Sequence, residues 1–176
     1  MQYRHLSLAG WLLVAACTSV PAIADAKLDD ATILAIFDQA NAMDIHTGRL
    51  GAKYGSVEEV RDLGRMVATD HVAVQQMGRD LAKKLGILPT PPDHDASVAD
   101  YAKTVALLQS KSGAEFDRAY LQYELSFHKS VIDAVKGTLL PSASNAELKQ
   151  LIVSVLPGFE HHLAQTQAVA QKFGIR

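Results

Sequence analysis

The stretch FDRAYLQYELSFHKSVIDAV, residues 116–135, decides how this chain folds. Phe116, Tyr120, Tyr123, Phe127, Val131 and Ala134 recur at steps of three and four. That spacing lines one face of a helix turning by about 100° per residue. Glu124 and His128 fall inside the same stripe, one turn apart. A carboxylate and an imidazole turned toward a dry core cost free energy unless something there binds them.

The same periodicity extends outward in both directions and predicts helices near 30–54, 57–85 and 145–173, with a shorter one at about 96–110. Ser56-x-x-Glu59, Ser112-x-x-Glu115 and Ser144-x-x-Glu147 have the capping-box pattern that starts a helix. Gly55, Gly86, Gly137 and Gly174 each follow a periodic stretch, where a closing residue belongs. No alternating strand pattern of any length occurs. The prediction is an all-α domain over residues 27–176, a ferritin-like four-helix bundle with an additional short connecting helix. The segment from Gly86 to Ser112 is long enough to return along the bundle, but the pattern fits a plain up-down order equally well.

Residues 1–24 read differently. A basic start (Arg4, His5), an apolar run from Leu6 to Cys17, then Pro21 and Ala22-Ile23-Ala24 form a secretory signal with an A-x-A cleavage site. The run is too short to span a bilayer, and no later segment is long and apolar enough to do so. The expected product is a periplasmic protein. The alternative is an outer-membrane lipoprotein, because Val14-Ala15-Ala16-Cys17 also fits a lipoprotein signal that would anchor the chain by lipid at Cys17. Cys17 is the one cysteine, so ordinary cleavage leaves no thiol chemistry. Cleavage removes one basic and no acidic residue from a chain of net charge −2. No basic field remains to attract nucleic acid.

Each long helix carries inward polar residues. Asp44 lies in the apolar face of the first; Asp70 and His71 flank that of the second; His162 lies in that of the last. His46 and His161 fall on the opposite sides. Measured from the two tight turns at about 1.5 Å per residue, Asp44, His71, Glu124, His128 and His162 share one depth to within about 10 Å. Three imidazoles with two or three carboxylates at one level are the material of a metal site, for zinc, copper, iron or manganese. The residues three before His71, His128 and His162 are Ala68, Leu125 and Phe159, so the Glu-x-x-His pattern of di-iron bundles is absent, an ordinary di-iron oxidase is not expected, and a mononuclear site stays open. The same residues could instead close a metal-free hydrogen-bond network that sets helix register. Pro157 predicts a kink about one turn before His162.

There is no phosphate-binding glycine loop, no Gly-x-Ser-x-Gly elbow and no His-Glu-x-x-His. No motif therefore indicates an enzyme. Two functions stay open: an envelope protein holding a metal ion, and a non-catalytic structural or stress-related envelope protein.

Residues 60–87 (VRDLGRMVATDHVAVQQMGRDLAKKLGI), 116–135 and 156–170 (LPGFEHHLAQTQAVA) resemble the bacterial domain-of-unknown-function family 4142. Its signatures fall on Asp70-His71, on Phe116-Asp117 with Tyr120 and His128, and on Leu156-Pro157 with His162-Leu163. The resemblance implies an exported helical bundle of the kind called predicted outer membrane protein and grouped with ferritin-like folds. It implies no reaction. Asp44 stands where that pattern carries a Glu, a shorter arm for any ligand role.

Overall fold

A computed structural model describes residues 28–93 and 95–175. The segment read as a signal, Cys17 included, lies outside the described residues. The chain is all-α: α1 (Asp30–Tyr54), α2 (Glu58–Leu85), α3 (Ser97–Gln109), α4 (Gly113–Ala134), a π-helical turn (Val135–Leu139), α5 (Leu140–Ser142) and α6 (Ala146–Lys172). No strand occurs among the described residues.

The helices begin where local chemistry satisfies their first amides. The Asp29 carboxylate accepts from Thr32 N at 2.7 Å, and Asn145 Oδ1 accepts from Glu147 N at 2.8 Å and Leu148 N at 3.1 Å. Two of the expected capping boxes serve another purpose. Ser56 donates its amide (2.8 Å) and its hydroxyl to Asp117 on α4. Ser144 donates its amide (2.8 Å) and hydroxyl (2.6 Å) to Asp30 on α1. Each serine thus ties its hairpin turn to the other hairpin, and Val57 and Asn145 become the capping positions. Ser112 does cap α4, without a side-chain bond.

Gly86 and Gly174 close their helices with φ of 66° and 69°, as expected. Gly137 does not close α4. The chain widens there into the π-helical turn and runs on to Ser142. Pro141 supplies a reason: it has no amide to bond the carbonyl four residues back and its ring crowds that carbonyl, so the ladder loosens just before it.

The cross-links set the topology. Asp30 at the start of α1 meets the turn after α4, and Asp117 at the start of α4 meets the turn after α1, so these two helices run antiparallel. Lys84 pairs with Glu147, and Lys172 with Glu59, which makes α2 and α6 antiparallel as well. The segment between α2 and α4 must therefore return along the whole bundle. It does so over α1: Thr90 N donates to Ala31 O (3.2 Å), Tyr101 Oη to Met43 O (3.1 Å), and Leu108 is buried at the far end. The long crossover, left open by periodicity, is what forms.

Within the bundle α1 and α2 approach most closely. A Cβ on Gly64 would collide with Ala52 N and stand 2.5 Å from Gly48 O, and one on Gly51 would strike the Tyr120 ring. Three apolar clusters result, one around Leu63, Val67, Phe116 and Tyr120, and two adjoining ones around Ile33 and Leu148 and around Phe37 and Phe159. Each fully buried large side chain in them contributes about 1.5–3 kcal/mol. Between the first cluster and the other two lies a polar layer.

Candidate metal centre

All four long helices feed this layer. α1 supplies Asp44, α2 His71, α4 Glu124 and His128, and α6 His162, and none of the five is more than 3% exposed. Glu124 and His128 occupy the centre of the α4 stripe, flanked by Tyr123, Phe127 and Val131, which are only half buried. The spare histidines, His46 and His161, are exposed as expected. Pro157 lies within α6, about a turn before His162.

Each imidazole is held by an oxygen at its outer nitrogen. His71 Nδ1 lies 2.8 Å from Asn41 Oδ1, whose own amide nitrogen donates to Phe37 O, leaving that oxygen as acceptor. His128 Nδ1 lies 3.0 Å from Glu124 O, a backbone carbonyl. His162 Nε2 lies 2.9 Å from Asp70 Oδ2. All three oxygens accept, so in neutral rings the outer nitrogens carry the protons and His71 Nε2, His128 Nε2 and His162 Nδ1 present lone pairs.

Those lone pairs turn inward. His71 Nε2 is 3.2 Å from His162 Nδ1 and 2.9 Å from Asp44 Oδ2, which in turn is 3.3 Å from His128 Nε2. Acceptors this close repel unless a proton or a cation stands between them. These three separations are near that between ligands held at about 2.0–2.1 Å around one tetrahedral metal, about 3.3–3.4 Å. The three imidazoles can each offer a nitrogen within 4.8 Å of the others; Asp44 and Glu124, through carboxyl oxygens, form a second such group with a His128 nitrogen. Phe159 stacks on the His71 ring at 5.3 Å with an interplanar angle of 6°, fixing its plane.

Burial and neighbours separate the two carboxyls. Burial works against the Asp44 charge, but protonated His71 and His128 beside it, with His71 hydrogen-bonded to it, outweigh burial and hold its pKa below the ordinary value. Burial and the adjacent Asp44 charge push Glu124 well above the carboxylate range. Burial lowers His128 and His162, which favours the neutral, ligand-competent form.

The sequence-predicted residues sort into three groups. Asp44, His71, His128 and His162 come together at the inner contacts. Glu124 stands beside them, its Oε2 3.4 Å from the outer nitrogen of His128. Asp70 is about half exposed and reaches the layer only through His162. Asn41 and the Tyr120 and Tyr123 hydroxyls also belong to the layer and were not singled out beforehand. Asn41 was findable: it lies three residues before Asp44 on the same helical face, an amide turned inward in mid-helix.

The fold and its centre define a helical bundle with buried histidine and carboxylate groups that could hold a metal. The chain belongs to the family described as "Domain of unknown function (DUF4142)", whose model matches residues 15–169. No curated protein and no solved structure matches it. Among the described residues no helix is long and apolar enough to cross a membrane.

Proposed function

We propose that this chain is an exported bundle protein carrying one transition-metal ion, held by His71 Nε2, His128 Nε2, His162 Nδ1 and Asp44 Oδ2. The observation that carries this reading is the arrangement of the imidazoles: each outer nitrogen is bound by an oxygen, and each inner lone pair faces the same carboxylate or a second lone pair. Such outer partners fix tautomer and ring orientation in metal sites. A metal-free network is the competing reading. Against it, neither oxygen of the buried Glu124 carboxyl makes a hydrogen bond of normal geometry. Three nitrogens and one carboxylate suit zinc, copper, iron or manganese.

Elemental analysis of untagged protein purified from the periplasm tests this, together with metal titration of five variants. His71→Ala, His128→Ala and His162→Ala should lose the ion; His46→Ala and His161→Ala, on exposed faces, should keep it. A wild-type protein that neither carries nor binds any of the four metals refutes the centre. Export rests on the pattern of residues 1–24. Intact mass should place the mature terminus after Ala24; an acylated Cys17 would make the protein a lipoprotein instead.

A further inference from the structure

Glu124 and its neighbours are not accounted for by the four ligands. Glu124 is fully buried beside Asp44, Thr47 and Tyr120, yet neither carboxyl oxygen makes a hydrogen bond of normal geometry. The hydroxyls of Tyr120 and Tyr123, one turn before it and beside it on α4, are likewise buried, one against Glu124 and the other against Thr47, without a hydrogen bond of normal geometry. Four such oxygens together are exceptional, because nearly every buried polar atom in a folded protein is bonded to protein, water or an ion.

Their position gives the reason. Glu124 and Asp44 lie within ligand distance of one another and of His128, and neither joins the group of three imidazoles; Asp44 differs in meeting His71 Nε2 and His128 Nε2 directly, at 2.9 and 3.3 Å. Glu124 Oε2 approaches His128 at Nδ1, the nitrogen turned away from the inner contacts. The carboxyl therefore stands at the shoulder of the ligand cage, on the side of the phenols, where it can bond to something attached to the metal. A closed structural site has no use for such a group; a site that keeps an exchangeable position does.

We infer that the metal has an additional, exchangeable coordination position on the Glu124 side, filled by water or hydroxide that hydrogen-bonds to Glu124, with the Tyr120 and Tyr123 hydroxyls completing the shell. A water makes about three hydrogen bonds at buried sites, enough to engage these groups and the metal together. A small anion can exchange for it. This rests on the metal centre proposed above.

The test uses the mature protein loaded with Co(II), read by visible absorption and electron paramagnetic resonance, then titrated with azide. The wild type should show a five-coordinate spectrum that azide shifts. Glu124→Gln and Tyr120→Phe should still bind one Co(II) per chain, while azide affinity changes from that of the wild type. Tyr123→Phe, on a half-buried residue, is the fallback if the Glu124 variant does not fold. A tetrahedral spectrum indifferent to azide overturns the inference, since the protein would already fill the coordination sphere. Loss of Co(II) from Glu124→Gln also overturns it, making Glu124 a ligand. Wild-type protein that takes up no Co(II) refutes the centre itself, a separate and distinguishable result.

Discussion

Asp44→Asn in metal-free protein tests the reading of the inner contacts most directly. A neutral imidazole protonated at its outer nitrogen presents a lone pair inward. In the wild type Asp44 Oδ2 then faces two lone pairs, 2.9 Å from His71 Nε2 and 3.3 Å from His128 Nε2, whose protons sit on their other nitrogens. Asparagine keeps the shape and offers an amide nitrogen with two donors to the same two atoms. Relieving unpaired buried acceptors is worth about 1–3 kcal/mol. For a chain of this size that raises the melting temperature by about 3–9 °C. Metal should act in the opposite sense. At a concentration of about 100 Kd it adds about 2.7 kcal/mol to the wild type, and a variant binding tenfold more weakly gains about half as much. The assay is a thermal melt at pH 8, after chelation and again with each metal. The reasoning is refuted if the chelated variant melts below wild type by the equivalent of about 3–5 kcal/mol, the cost of breaking a buried ion pair. Asp44 would then be the partner of a protonated imidazole, and the layer would close without metal.

Asn41→Leu removes the acceptor that orients His71 while touching none of the inner atoms. Metal affinity, measured by chelator competition, should fall by about 10–100-fold with a stoichiometry of one retained; an unchanged affinity would show that Phe159 stacking alone positions the ring. Asp30→Ala severs the clamp on the α5–α6 turn, where one carboxylate accepts from Ser144 N, Ser144 Oγ and Asn145 N. It should cost about 1–2 kcal/mol at pH 7 by urea denaturation. Burial opposes the Asp30 charge, but these hydrogen bonds prevail and hold its pKa below 3.8. A depressed carboxylate stabilises fully above its unfolded pKa, and the contribution fades as pH falls through the lower folded value. The gap between wild type and variant should therefore narrow below about pH 4, and a gap independent of pH would mean the charge contributes nothing.

The capping boxes show where local reading fails. Ser56 and Ser144 have the pattern of helix starts, and helices do start beside them. Their hydroxyls nevertheless go to Asp117 and Asp30 on the other hairpin, partners 61 and 114 residues away in sequence. Gly137 fails for a nearer cause: Pro141, four residues on, reshapes the turn that glycine was expected to end.

The sequence by itself determined the helices, their apolar faces and which polar side chains look inward, because a 3.6-residue period writes each face into residue spacing. It therefore located Asp44, His71, Glu124, His128 and His162 at one level and set His46 and His161 outside. Only the tertiary structure decided the crossover, since periodicity says nothing of the direction in which a connection runs. It alone also divided the layer, placing Asp70 behind His162, Asn41 behind His71 and Glu124 beside the outer nitrogen of His128. Those roles depend on which of two ring nitrogens meets which oxygen. That follows from the rotation and approach of neighbouring helices, which no single helix encodes.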